Sequence, residues 1–446
     1  MNADRPESGG RAAVRRSTAS LVLASLGVFA VAATTVFGTR LYEAFPVPTT
    51  LVVLCIVALL ALIPRTVGMR RRDVLRSVVP VAVFSAVSVV VYAITAARFG
   101  ASHATWASVM LIPLAWMAAS VLGALSQPLG RTPLVWAAGT SVTLSMLAAG
   151  LDIGYRAGLV TGLNRAYELW GTSLAVWQPA AGEAYRSVGF DVDPNTFGLV
   201  GVAVFVVALA VPSRPWVRGL LAAGAAAVVA LSGSRTDDAA LVFAGVTYLS
   251  FLAVSDRPRS ERVRELIPVG IGVLSAFVGA TLIVALALGS FGSMTRVGES
   301  AADIAGANTS GTSAAQAVDE SLSGRLAIWE KALSAYQAHP LGAFLPPEVL
   351  VGRSVHNEYL ERLVLGGPLM LAGLLWFLAW LFMRVRPRSA PALGPCLAVA
   401  YATAALALGP SLLPPFTTIL FYAIGWGLAE MKDASAVSPH MANVES

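Results

Sequence analysis

The chain has 446 residues, 56% of them hydrophobic and only 13% charged, with a mean hydropathy of +0.71 and a formal net charge of +6. A soluble domain carries roughly 25% charged residues to wet its surface, so this composition excludes a soluble enzyme and a disordered chain. Cys55 and Cys396 are the only cysteines and both lie in apolar runs, which excludes a disulfide framework and a thiolate metal site.

Residues 1–18 are polar and basic and read as a disordered cytoplasmic segment. Charge-free apolar runs follow at about 19–38, 48–64, 77–97, 104–125, 132–150, 196–212, 219–232, 239–254, 267–290, 365–383, 391–409 and 412–429. A membrane helix needs ~20 apolar residues, and several of these runs are long enough to cross with some tilt. Backbone in contact with lipid must satisfy its own hydrogen bonds, and the strict alternation of a membrane barrel is absent, so the runs predict helices. The expected fold is an all-α polytopic membrane protein with about twelve transmembrane helices. It forms a single transmembrane domain over 19–430 and ends in a cytoplasmic tail over 431–446. Arg15–Arg16 ahead of an apolar stretch with Ala30-Val31-Ala32 mimics a signal peptide, but eleven further runs favour a retained first helix.

Two long loops interrupt the pattern. In the first, about 151–195, Leu163, Tyr167, Trp170, Leu174 and Trp177 recur at helical spacing and predict a helix lying in the interface. The second, about 291–364, falls between spans nine and ten. It opens with a small-residue tract, Gly298 to Gly324, that reads as mobile. An amphipathic helix from Leu326 to Ala338 is expected next.

Lysine and arginine orient the spans. The side that holds the N-terminus collects 20 of the 31 basic residues and 9 of the 25 acidic ones, a balance of +11. The opposite side is left at −5. The positive-inside rule then puts both termini in the cytoplasm and both long loops outside. The basic balance reflects topology and anionic membrane lipids; no nucleic-acid partner is expected.

No Asp, Glu, Lys, Arg or His falls in the middle of a run, whereas ion-coupled transporters need charge at membrane depth. The ionisable residues placed to act lie at the outer rim. His356 opens the segment His356-Asn357-Glu358-Tyr359-Leu360-Glu361-Arg362, just ahead of span ten and Gly366-Gly367. A histidine there can take a proton from a hydroxyl, and it equally reads as an interfacial side chain bonded to water or loop backbone. Glu358 and Arg362 stand at i and i+4 and can pair.

The second constellation is Ser232-Gly233-Ser234-Arg235-Thr236-Asp237-Asp238, between spans seven and eight. Ser234 or Thr236 can cap the helix, with both acids favouring its dipole, which leaves Arg235 unexplained unless it meets an anion. The third is Ser321-Leu322-Ser323-Gly324-Arg325 with Trp329, where Ser323 is a candidate N-cap and Arg325 would stand in a first turn. Arg325 reads either as a phosphate ligand or as a surface ion pair with Glu330 or Asp319. Asp191 and Asp193 resemble a DxD metal pair, but Pro194 marks a helix start and the pair alone is weak. His103, His339 and His440 read as structural, and no HExxH, nucleotide loop or GxSxG elbow is present.

Asp193-Pro194-Asn195-Thr196, Ser232-Gly233-Ser234-Arg235, Ser323-Gly324-Arg325 with Trp329, His339-Pro340-Leu341-Gly342, and His356-Asn357 followed by Gly367 occur in that order. This ordered set resembles the bacterial O-antigen ligase and O-antigen polymerase superfamily. The match is good over about 190–383, and the whole chain agrees in span pattern. The resemblance implies a metal-independent, inverting glycosyltransferase of the GT-C type, with no cofactor. Its donor would be a glycan on undecaprenyl or a similar polyprenyl diphosphate. Its acceptor would be a hydroxyl of a lipid or cell-wall glycan outside the cytoplasmic membrane. His356 would be the base, Arg235 and Arg325 would hold the diphosphate, and Asn195, Asn357 and Glu361 would line or support the site. Where the family often has a second glycine, three residues beyond Gly367, this chain has Met370, which leaves ligase and polymerase branches both open. A lipid-linked glycan flippase is the reading from another class.

Overall fold

The computed structural model describes residues 22, 25–34, 71–99, 112–159, 186–187, 194–211, 213–255, 258–288, 312–345, 347–352, 355–408 and 414–437. The helices among them are α1 (Ser25–Thr34), α2 (Arg71–Phe99), α3 (Ile112–Ser126), α4 (Thr132–Arg156), α5 (Pro194–Ala210), α6 (Pro215–Ser232) and α7 (Arg235–Val254). They continue with α8 (Arg259–Leu288), α9 (Thr312–Ala338), α10 (Pro347–Val351), α11 (Glu358–Arg384), α12 (Leu393–Ala405) and α13 (Pro414–Val437). No strand occurs among the described residues.

Among the described residues, seven helical stretches are long and apolar enough to cross a membrane: Val78–Arg98, Ile112–Leu129, Thr132–Tyr155, Pro215–Ser232, Arg235–Val254, Ser260–Ala280 and Glu358–Arg384. Ser25–Thr34, Pro194–Ala210, Leu393–Ala405 and Phe416–Met431 are shorter apolar helices. Together these follow the expected runs in order, and the run at about 48–64 lies outside the described residues. The chain is a polytopic membrane protein.

Local chemistry sets the helix ends. Pro194 and Pro215 each begin a helix, where the missing N–H costs nothing. Gly233 ends α6 in the left-handed region at φ 58°, and Ser234 then caps α7 by accepting from the Asp237 N–H at 3.4 Å. α5 is apolar on every face, as a helix at the centre of a bundle should be, and all its residues except Asn195 are buried. α8 is the opposite case: Ile267, Ile271, Leu274, Val278 and Leu282 are exposed, on a surface suited to lipid. Phe84 of α2 stacks between Trp116 of α3 and Phe377 of α11, with ring centroids at 5.2 and 4.4 Å, and Phe421 of α13 closes the group.

Two expectations about the second loop need correction. The helix there begins at Thr312, well ahead of Leu326, because Ala314 to Leu322 is rich in strong helix formers that outweigh the small residues around them. Ser323 therefore does not cap it, and Arg325 lies in its interior and not in a first turn. Span ten is also not a simple rod. α11 breaks at Gly366 and Gly367, whose φ/ψ values of −122°/15° and 65°/−162° are not helical. Pro368, next in sequence, cannot donate into the ladder.

At one end of the bundle, Arg218 donates to the carbonyls of Ala208 and Leu209, at 3.1 and 2.6 Å, and so closes the C-terminus of α5. It also donates to the Tyr248 hydroxyl at 2.6 Å and pairs with Glu265 at 3.2 Å. These groups line a small cavity of about 60 Å³ with Leu252, Ser255, Pro391 and Ala392. The residues singled out from the sequence gather at the other end.

Candidate functional site

The turn between α6 and α7 is built from three elements that meet. The Ser232 hydroxyl donates to Val229 O at 2.7 Å and accepts from the Ser234 N–H at 3.2 Å. Asp237, fully buried in the first turn of α7, lies against Gly198 of α5. A Cβ at Gly198 would strike the Asp237 carboxylate and the Ser232 hydroxyl, so only glycine lets these helices approach. Arg186 and Ser187 then dock across the turn. The Ser187 N–H donates to Leu231 O at 2.8 Å. The Arg186 guanidinium donates to Ser232 O at 2.9 Å and to the Asn195 side-chain oxygen at 2.8 Å. Arg235, the first residue of α7, is exposed beside this clamp.

His356 sits in a left-handed backbone conformation, φ 50°, which is uncommon for any residue with a Cβ. Its neighbours hold it there. The Trp329 indole N–H of α9 donates to Val355 O at 3.1 Å. Asn357 caps α11 by accepting from the Leu360 N–H at 3.1 Å, and its amide donates to Leu406 O at 3.1 Å. The Glu358 N–H donates to Leu408 O at 3.1 Å. A cluster of Ile328, Ala332, Val351, Val355 and Val364 packs α9 and α10 against the start of α11. His356 itself remains exposed. Arg325, half-buried, lies one turn before Trp329 on α9, and Glu361 is half-buried in the first turn of α11.

The break in α11 explains two motifs at once. Carbonyls next to a break lose their helical partners and need others. Val364 O and Leu365 O accept from the N–H groups of Ala343 and Phe344 at 2.8 and 2.9 Å. To reach them, Gly342, at φ 104°, passes so close to Gly366 and Gly367 that a Cβ on it would stand 2.7 Å from their backbone. Arg98 of α2 donates to Ala343 O at 2.8 Å and steadies the same loop. Met370 is buried beneath Gly366 with Val91, Tyr92 and Leu365, where its side chain occupies space that a glycine would leave open.

The broken helix also carries charge into the bundle. Arg362 Nε donates to Glu358 Oε1 at 2.7 Å, as the i, i+4 spacing predicts. This pair is buried, and Arg362 Nη1 reaches Ser88, the midpoint of the Val78–Arg98 stretch. The apolar runs contain no mid-span charge in sequence, yet the fold places an ion pair at that depth.

Register relates Arg235 to the end of α12 that anchors Asn357. Leu252 and Ser255 at the end of α7 share the small cavity with Pro391 and Ala392 ahead of α12, and the Cys396 thiol donates to Ala244 O at 3.6 Å, so α7 and α12 are antiparallel. Arg235 lies nine residues before Ala244 and Ala405 nine after Cys396. At 1.5 Å per residue both stand about 13 Å further along. Arg235 is thus level with the end of α12, where Asn357 is anchored beside His356.

Residues 219–375 match a family model described as O-antigen ligase. That stretch of the chain is similar to O-antigen ligases. A search of curated proteins found no match. The matched stretch runs from α6 into α11 and takes in Arg235, Arg325, His356 and the α11 break. Asn195 and Arg186 lie ahead of it. Arg186 was not singled out by the sequence, where it is one more arginine of a long loop; the signal available was its place on the side that orientation rules leave poor in arginine. Asp191 and Asp193 lie outside the described residues, as do the interfacial helix expected in the first loop and His103 and His440. Among the described residues, no group of three or more His, Cys, Asp or Glu side chains could hold a metal ion.

Proposed function

We propose that the protein is a metal-independent, inverting glycosyltransferase. It moves a glycan from a polyprenyl-diphosphate carrier to an acceptor hydroxyl at the outer face of the bacterial cytoplasmic membrane. The observation that carries this reading is His356, exposed on a braced left-handed turn, level with Arg235 and one bonded contact from the helix that carries Arg325. His356 would take the proton of the acceptor hydroxyl while that oxygen attacks the anomeric carbon from the face opposite the diphosphate. The bond from that carbon to the phosphate oxygen breaks, and the electron pair leaves on the diphosphate, which inverts the centre. Arg235 and Arg325 would hold the leaving diphosphate by planar, bidentate contacts and offset its developing charge. Asn195, engaged by Arg186, would shape the wall, while Asn357 and Glu361 would support the turn. The activated donor supplies the driving force, so neither a nucleotide nor an ion gradient enters.

The charge balance of +11 over −5 supports this end of the bundle facing outward, with both termini cytoplasmic and one transmembrane domain over 19–430. The O-antigen ligase match favours transfer to a lipid or wall glycan; elongation of the donor glycan itself would mark a polymerase. The deciding experiment uses purified protein in proteoliposomes with undecaprenyl-diphosphate glycan and a glycan acceptor. Wild-type protein should form product in the presence of EDTA, and folded His356→Ala should lose it by at least ~100-fold. Full activity in that variant would overturn the catalytic role. Movement of the donor across the bilayer without any transfer would instead favour a flippase.

A further inference from the structure

An ion pair taken into an apolar bundle gives up about as much hydration as its mutual attraction returns, so it is weak evidence of stability and calls for another reason to be there. Glu358 and Arg362 are such a pair, with side chains 2% and 3% exposed. Their surroundings are specific. Glu358 Oε1 accepts from Arg362 Nε at 2.7 Å and from the Tyr401 hydroxyl of α12 at 2.8 Å. The Arg362 guanidinium lies 5.0 Å from the ring centre of Phe84 and reaches Ser88 at 3.4 Å, both on α2. Glu358 stands two residues after His356, whose left-handed backbone persists only if the flanking structure imposes it. The contacts at Val355 and Asn357 tie this segment to α9 and to the end of α12. The Glu358 carboxylate ties it down into the bundle, to α2 through Arg362 and to the body of α12 through Tyr401.

We propose that Glu358 is a positioning residue for His356. Its pairing with Arg362 holds the carboxylate in place, so that one oxygen accepts both bonds and pins the first turn of α11 between α2 and α12. The turn in turn fixes where the His356 imidazole stands relative to Arg235. This inference rests on the reading of His356 as the base.

The test separates position from stability. Glu358→Leu combined with Arg362→Met replaces the pair with apolar side chains of similar bulk, and such exchanges often leave a protein folded. In the proteoliposome assay, the double variant should melt near the wild-type temperature and keep its donor KM within about threefold. Its kcat should fall by about tenfold or more, as expected for a misplaced catalytic group. Arg362→Lys, which retains the charge, should recover much of the kcat that Arg362→Met loses. Should the double variant not fold, Tyr401→Phe decides, since it removes only one hydroxyl from Glu358; its kcat should drop severalfold at constant donor KM. Wild-type kcat in the folded double variant, or in Tyr401→Phe when the double does not fold, overturns the proposal, as does a donor KM that rises in step. His356→Ala in the same assay tells the two ideas apart. Retained transfer there sinks the base assignment, whereas its loss alongside unaffected Glu358 and Tyr401 variants sinks only the positioning role.

Discussion

Arginine is disfavoured as the first residue of a helix, because the N-terminus carries partial positive charge. Arg235 stands there all the same, exposed, on a helix whose cap and first-turn acids are otherwise ideal. A bound diphosphate would remove the conflict, since the helix end and the guanidinium would then attract the same anion. Arg235→Lys and Arg325→Lys are accordingly expected to raise the donor KM by about tenfold each, because one ammonium does not reproduce a planar fork. Steady-state kinetics with varied donor checks this, and unchanged donor KM in both variants would count against diphosphate binding. Gly198 makes a second prediction at this scale. Its α-carbon faces the Asp237 carboxylate and Ser232, so Gly198→Ala should destabilise the protein by about 1–3 kcal/mol through overpacking. Thermal unfolding in detergent measures it, and a wild-type melting temperature would contradict the packing of α5 against α7.

At the scale of elements, α11 joins the site to the bundle. Its first segment carries Glu358 and Glu361 behind the Asn357 cap, and its second carries Phe377 into the aromatic stack. The break between them is sealed by the loop from His339 to Phe344. Gly367→Ala meets both a positive φ and the Leu341 backbone at 2.5 Å, so it should lose stability by more than the ~1–2 kcal/mol of the backbone strain alone. α9 acts on the same segment from outside the bundle. Trp329→Phe keeps an aromatic ring at that position but deletes the donor to Val355 O, which should lower kcat by about three- to tenfold without loss of folded protein. Unaltered kcat in this variant would show that α9 does not hold the His356 turn.

For the whole molecule, orientation is the property that gives the site its meaning. Leu341 is 82% exposed at the His356 end, and His440 lies in the polar tail. In a Cys55→Ser background, where Cys396 remains buried, a membrane-impermeant maleimide should label Leu341→Cys in intact spheroplasts. His440→Cys should be labelled only after permeabilisation. The reverse pattern would place the site in the cytoplasm and remove the basis for a lipid-linked donor outside the membrane.

Much of this protein is written in local chemistry. Apolar runs become helices because lipid offers the backbone no other partner. Pro194 starts α5, Ser234 caps α7 and Glu358 meets Arg362 because these depend on neighbours within four residues. Other features depend on partners far along the chain: Arg186 on Ser232, Ala343 on Val364, Tyr401 on Glu358, and Ser88 on Arg362. Periodicity and spacing carry no record of such pairs. The sequence by itself therefore determined an all-helical membrane protein and nominated the residues of a candidate site. Only the tertiary structure decided that α11 breaks, that an ion pair lies at the depth of Ser88, and that His356 and Arg235 share a level, because each requires segments remote in sequence to satisfy one another's hydrogen bonds and charges.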